Sequence, residues 1–257
     1  MHELRPHKSR YWLYPKIDDW KAFSVQVALI CQLILAAIQR ANPTTHLVSV
    51  DEKTGIQALK RIHEGEGMKA GYLRRIEYGY ERKGTTCLMA AIDVGKGQLT
   101  HHRLHPSRTE EDFLLFIQQT VEQYPPEDEI ILMADQLNTH LSASLVEWIA
   151  RQVGFQDELG KKNHHGILKN KESRKAFLED ATHRIRFVYT PKHCSWLNPI
   201  ENWFAKLQRH VITHGNFESV ENLCEKITRY IDFYNQCLAK PLRWKFTGFE
   251  KNITNPS

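Results

Sequence analysis

Three carboxylates stand where an extended run ends or a helix begins. Asp51 closes His46-Leu47-Val48-Ser49-Val50, Asp135 closes Glu129-Ile130-Ile131-Leu132-Met133-Ala134, and Glu201 lies three residues past Asn198. Carboxylates gathered from three such ends make a hard oxygen site, which suits Mg²⁺ far better than zinc. A pair of Mg²⁺ ions, or Mn²⁺ in their place, would activate a water and then a hydroxyl for in-line attack on phosphate. Asp51, Asp135 and Glu201 are therefore the candidate catalytic and metal-binding residues. Two of them carry a second reading. Lys53-Thr54-Gly55 has the composition of a turn, which would make Asp51 a strand-end turn residue. Asn198-Pro199 has the form of an N-cap and a first-position proline, and Glu201 would then complete a capping box. Asp93 adjoins the hairpin turn Gly95-Lys96-Gly97, which accounts for it, and it is left out of the site.

Other chemistries have less support. Cys31, Cys87, Cys194, Cys224 and Cys237 are scattered, odd in number and never spaced as Cys-x-x-Cys, a pattern of reduced thiols. Zinc has its best case in His193-Cys194 with His210 and His214, where no pair has a finger spacing. The first residues are polar and basic, unlike a secretory signal, so the expected compartment is the cytoplasm. A net charge of +5 and a pI near 8.9 favour a polyanionic partner. With 257 residues, 41% of them apolar, the chain can bury one large core.

The elements that must position the carboxylates follow from periodicity. Asp18 or Asp19 caps a helix to about Arg40, with Trp20, Phe23, Val27, Ile30, Ile34 and Ile38 on one face. Its apolar run, residues 22–38, is shorter than the ~20 residues of a membrane span and is interrupted by Ser24, Gln26 and Gln32, which predicts a docked helix and no membrane partner. Alternation along residues 46–52 puts Val48 and Val50 on one face and Leu47, Ser49 and Asp51 on the other. Residues 60–83, rich in Gly (Gly65, Gly67, Gly71, Gly79) and charge, predict an irregular connection, with strands at 85–92 and 98–104 after it. Residues 108–123 form an amphipathic helix with Phe113, Phe116, Ile117 and Thr120 inward. The apolar run ending at Asp135 suits a strand covered on both faces, and Ser142 or Ser144 opens the next helix. Residues 154–183 carry Lys161, Lys162, Lys169, Lys171, Arg174 and Lys175, as a solvated insertion or as a flap facing nucleic acid. A strand at 185–189 leads to a helix with Ile200, Trp203, Phe204, Leu207 and Val211 on one face, and Ser219 caps the last helix. Basic and aromatic residues interleave at 5–12 and at 240–246, as contacts to a phosphate backbone or as a solvated tail and a packed terminus. Strands and helices in this order make an α/β domain with a mixed sheet.

The stretches Val50-Asp51-Glu52-Lys53-Thr54-Gly55-Ile56-Gln57-Ala58, Met133-Ala134-Asp135-Gln136-Leu137-Asn138-Thr139-His140 and Tyr189-Thr190-Pro191-Lys192-His193-Cys194-Ser195-Trp196-Leu197-Asn198-Pro199-Ile200-Glu201 resemble the three motif blocks of DDE transposases, in the bacterial insertion-sequence branch of the mariner superfamily. The likeness runs from Arg5 to Phe246, and residues 6–12 resemble the linker ahead of the catalytic domain there. It implies an RNase H-like fold: a mixed five-stranded sheet flanked by helices, with the basic insertion before the last strand. It implies Asp51, Asp135 and Glu201 as the triad for two Mg²⁺ ions. The organisation expected is a basic linker and helix (1–45), a catalytic domain (46–213, insertion 154–183), and a C-terminal helix with a basic-aromatic tail (214–257).

The resemblance further implies cleavage of double-stranded DNA at terminal inverted repeats and strand transfer into a TA-type target. The enzyme would act as a homodimer in the DNA complex, in the bacterial cytoplasm and nucleoid-associated when bound to DNA. Two departures stand out. Asp135 and Glu201 are 66 positions apart, wider than is usual in the superfamily, and the insertion accounts for the excess. Gln136 stands where Asn is common. Residues 1–45 hold no helix-turn-helix region, so a truncated chain or the downstream half of a frame-split element is expected. The alternatives are a non-catalytic DNA-binding remnant and a general RNase H-like nuclease; the latter leaves the three-block match unexplained.

Overall fold

The computed structural model describes residues 17–40, 42–62, 71 and 79–249. The apolar runs become β1 (Thr45–Arg61), β2 (Tyr80–Asp93), β3 (Gln98–His105), β4 (Glu129–Ala134), a small hairpin of β5 (Gly160–Lys161) and β6 (His165–Gly166), and β7 (Ile185–Tyr189). Five of these form one mixed sheet in the order β3-β2-β1-β4-β7. β1, β2 and β3 pair antiparallel, whereas β4 joins β1 and β7 joins β4 in parallel through helical crossovers. The helices are α1 (Trp20–Gln39), α2 (Glu110–Val121), α3 (Ala143–Gln152), α4 (Lys171–Leu178), α5 (Ile200–Leu207) and α6 (Val220–Phe233). Five of them start where a short polar side chain accepts a backbone N–H three residues on: Asp19, Thr109, Ser142, Asn170 and Ser219.

Strand alternation divides the core between the two faces of the sheet. Val48, Val50, Leu132 and Phe187 join the cluster that holds α2, α3 and α4. Leu47, Ile131, Met133 and Val188 pack with Val27, Ile30 and Ile34 of α1, and Ile56, Ala58, Leu88 and Ile92 pack with α5 and α6. By length and composition α1 is apolar enough to cross a membrane, contrary to the expectation that its run is too short. Its buried face lies on the sheet, while Val25 and Leu29 are exposed.

Several expectations are corrected. Lys53-Thr54-Gly55 does not turn; β1 continues through it with a bulge. Lys53 pairs with Leu88 and Ile56 with Thr86, so β1 holds one extra residue there, and Gly55 takes φ +64°. The irregular connection is shorter than expected, because β1 extends to Arg61 and β2 begins at Tyr80. Gly65 and Gly67 lie outside the described residues, as does the basic segment 5–12. The 154–183 segment is not simply solvated, since Leu168, Phe177 and Leu178 are buried in the core. In the C-terminal stretch the aromatic residues pack: Trp196 and Phe246 have ring centroids 5.5 Å apart, and Trp20 and Phe249 5.1 Å.

Candidate active site

The register of β1 and β4 runs from Thr45 opposite Glu129 to Ser49 opposite Met133. Two places further along both strands come Asp51 and Asp135, at the same ends of neighbouring strands. Glu201 lies in the first turn of α5, which follows the loop after β7. These three carboxylates sit in one another's field. Burial pushes the Asp51 pKa up to about 7; the Glu52 N–H, 2.8 Å away, opposes the rise, and Asp135 and Glu201 add to it. Burial also raises Glu201, with Lys53 opposing and Asp135 adding. Yet among the described residues no three or more His, Cys, Asp or Glu side chains are close enough to hold a metal ion. That applies to the triad and to His193, Cys194, His210 and His214 alike. Like charges repel in a partly buried site, and the excess negative charge is of the kind a divalent cation relieves.

The start of α5 corrects the capping-box expectation. No side chain of the preceding loop caps this helix. Instead the Ile200 N–H donates to Ser49 Oγ on β1 at 2.9 Å, and the Ser49 hydroxyl donates to Asn198 Oδ1 at 2.5 Å. Asn198 Nδ2 then donates to Val50 O at 3.1 Å and to Asp51 Oδ2 at 3.2 Å. Asn198 thus bridges helix to strand, and Glu201 is free of a capping role.

Asp135 is held from the opposite face of the sheet. Its Oδ1 accepts the Leu137 N–H at 3.1 Å and lies 2.7 Å from His140 Nδ1. The other ring nitrogen of His140 is 3.2 Å from both oxygens of Glu52, the neighbour of Asp51 whose side chain points the other way. Burial alone would lower the His140 pKa; the hydrogen bonds and charges of Asp135 and Glu52 prevail and push it up to about 10. Burial would likewise raise Asp135, but the hydrogen bond and charge of His140, with the Leu137 N–H, hold that carboxyl below the usual range.

The insertion supports this arrangement from outside. Arg174 is buried and donates through Nε to Leu141 O at 2.7 Å and through Nη1 to Leu168 O at 3.0 Å, so it is no part of a basic surface. Lys161, Lys162, Lys169 and Lys171 remain exposed, and Lys171 Nζ donates to Asn138 Oδ1 in the loop after Asp135. An open groove of about 360 Å³ runs beside Asp135, lined by Gln136, Thr190, Lys192, His193 and Ser195. Ser49, Glu52 and His140, which make these contacts around the candidate carboxylates, were not singled out from the sequence. Alternation alone directs Glu52 into the helix-covered face, where a lone carboxylate is unfavourable without a partner, and that signal could have found it.

A family model described as DDE superfamily endonuclease matches residues 46–224. No curated protein matches the sequence. Among solved structures, the Mos1 mariner paired end complex with Mn superposes with a TM-score of 0.53 at 12% identity, over 89% of this chain and 61% of that one. A pre-cleavage Mos1 transpososome gives the same values. The catalytic domain of Mos1 mariner transposase gives a TM-score of 0.50 at 11% identity, over 88% of this chain and 90% of that domain. The likeness establishes the fold as RNase H-like, with the expected five-stranded mixed sheet flanked by helices. The chain spans 61% of the length of the paired-end-complex chain.

Proposed function

The chain belongs to the DDE superfamily endonuclease family, and on that premise we propose that it is the catalytic domain of a metal-dependent DNA transposase. Asp51, Asp135 and Glu201 would hold two Mg²⁺ ions, with Mn²⁺ able to replace them. The observation that carries this reading is the placement of Asp51 and Asp135 at matching ends of neighbouring parallel strands, with Glu201 in a helix tied to the Asp51 strand. The raised Asp51 pKa supports it, since burial and two acidic neighbours leave that carboxylate in want of a positive charge. Hard oxygen donors in that state fit a hard divalent cation. Ions bound there would activate water and a 3′-hydroxyl and stabilise the entering and leaving oxygens.

The chain's own residues supply the rest. Ser49 and Asn198 fix the start of α5 against the Asp51 strand. Lys192 lines the groove beside Asp135, and the exposed lysines of the insertion offer charge to a phosphate backbone. Mos1 transposase has been solved as a paired-end complex with its left transposon end. By analogy of fold, we assign double-stranded DNA with terminal inverted repeats as substrate, strand transfer into target DNA as the second step, and a homodimer as the acting form.

The test is nicking of plasmid DNA with Mg²⁺ or Mn²⁺. Activity should appear in the wild type and vanish in Asp51→Asn, Asp135→Asn and Glu201→Gln. Cleavage surviving all three substitutions overturns the assignment. DNA binding with a steep salt dependence and no cleavage by the wild type would make the chain a binding module instead.

A further inference from the structure

Resting on the metal-binding reading of Asp135, we propose that His140, braced by Glu52, is the positioning residue that turns Asp135 toward the divalent cation. Three observations carry it. His140 is fully buried and Glu52 is 3% exposed at the side chain, whereas Asp135 is 43% exposed, so the chain of contacts starts in the core and ends at solvent. His140 Nδ1 lies 2.7 Å from Asp135 Oδ1 and 3.1 Å from the Asp135 carbonyl oxygen, and the Leu137 N–H donates to Oδ1 at 3.1 Å, so Oδ1 is held from within and Oδ2 is the oxygen left for a cation. The imidazole is itself immobilised: the Phe113 ring lies 4.1 Å from it between centroids, and the Tyr189 hydroxyl donates to the His140 carbonyl at 2.7 Å. Glu52 lies 3.2 Å from Nε2 through both oxygens and so fixes the ring with Nδ1 directed at Asp135. Partners one step behind a ligand set its orientation and affinity in this way.

The two amide variants separate positioning from packing. His140→Asn keeps a donor where Nδ1 stands and loses the reach to Glu52; His140→Gln reaches toward Glu52 and loses the donor to Asp135. Both lose the ring against Phe113 equally. Mn²⁺ binding to the DNA-free full chain, read from the spin-resonance signal of free Mn²⁺, should weaken by about 10–100-fold in His140→Gln. It should be largely retained in His140→Asn. His46→Gln serves as control: His46 also bridges two carboxylates, Asp128 at 2.8 Å and Asp93 at 3.4 Å, but at the start of β1. It should lower thermal stability without changing Mn²⁺ affinity. Equal weakening in the two His140 variants, or none beyond the control, overturns the positioning role. Should either variant melt below the assay temperature, Glu52→Gln carries the test, and unchanged Mn²⁺ affinity there overturns it too. An Asp135→Asn protein that binds Mn²⁺ as well as the wild type would instead overturn the metal-binding reading itself.

Discussion

Asn198 donates through Nδ2 to the Asp51 carboxylate at 3.2 Å while its Oδ1 accepts the Ser49 hydroxyl at 2.5 Å. One buried amide therefore ties the first candidate carboxylate to the helix that bears the third. Ser49 completes the tie by accepting the Ile200 N–H at 2.9 Å. Neither side chain has water as an alternative partner, since Ser49 is 0% and Asn198 1% exposed. The positions of Asp51 and Glu201 are in this sense a single structural unit, built from residues that carry no charge themselves.

Asn198→Ala leaves the Ser49 hydroxyl without its acceptor and the Val50 carbonyl without its donor. It should destabilise the protein by about 1–3 kcal/mol. Asn198→Asp keeps an acceptor for Ser49 but sets a second carboxylate against Asp51. Its loss should be larger at pH 8 than at pH 5. Urea unfolding at the two pH values checks both, and a loss independent of pH would mean that Asp51 carries no charge beside it.

The raised Asp51 pKa gives a second stability prediction. Its folded value of about 7 lies above the ordinary carboxylate range, so the native state binds the proton more tightly than the unfolded chain. The penalty for ionising Asp51 is absent below about pH 4, grows toward pH 7 and is complete above it. Asp51→Asn should therefore leave stability unchanged at pH 4 and raise it by about 1–3 kcal/mol at pH 8, in the presence of a chelator. Unfolding midpoints with EDTA measure it. Added Mg²⁺ should shrink the difference by favouring the wild type.

What was legible in the sequence is what depends on neighbours along the chain. The Asp19 and Ser219 caps, the inward face of α2 at Phe113, Phe116 and Ile117, and the 95–97 hairpin are all settled within a few residues. The places of Asp51 and Asp135 at strand ends and of Glu201 at a helix start were legible too, because each closes an apolar run or opens a helix. What was not legible depends on partners far away. Asn198 has the local signature of a cap, but Ser49, 149 positions earlier, takes over that role. Glu52 and His140 meet across 88 positions, and no periodicity announces that pair. The bulge at Gly55 is defined only by the strand opposite it, so its composition alone resembles a turn.

The insertion should separate into two independent functions. Arg174→Met removes the donors to Leu141 O and Leu168 O, both interior, and should destabilise by about 1–3 kcal/mol. It should leave the salt dependence of DNA binding unchanged. Replacing exposed Lys161, Lys162 and Lys169 with Ala should do the reverse. For each of these lysines that neutralises a phosphate, the slope of log affinity against log salt should fall by about 0.9, with thermal stability preserved. Fluorescence anisotropy across a salt series, beside a melting curve, distinguishes the two.

The bulge in β1 makes the last prediction. From Leu47 to Asp51 odd-numbered residues face α1 and α5, but beyond the extra residue the even-numbered Ile56 and Ala58 take that face and join the cluster of α5 and α6. Gly55 allows this with φ +64°, and open space surrounds the position a Cβ would take. Gly55→Ala should therefore lower stability only by the backbone term, about 1–2 kcal/mol, and Gly55→Asn by less, since Asn tolerates left-handed backbone. Deleting Gly55 is a different perturbation. It removes the extra residue and restores simple alternation, so Ile56 still meets Thr86 and, with Ala58, stays on the face of the cluster that also holds Ile200, Trp203 and Phe204. The deletion should thus cost no more stability than Gly55→Ala, and should leave nicking intact because the packing beneath the helix that carries Glu201 is kept. Thermal melts of the three variants, with plasmid nicking at a temperature where each remains folded, decide it. A deletion variant far less stable than Gly55→Ala, or inactive in nicking, would mean that the bulge itself, and not only the face it gives Ile56 and Ala58, sets the core and the site.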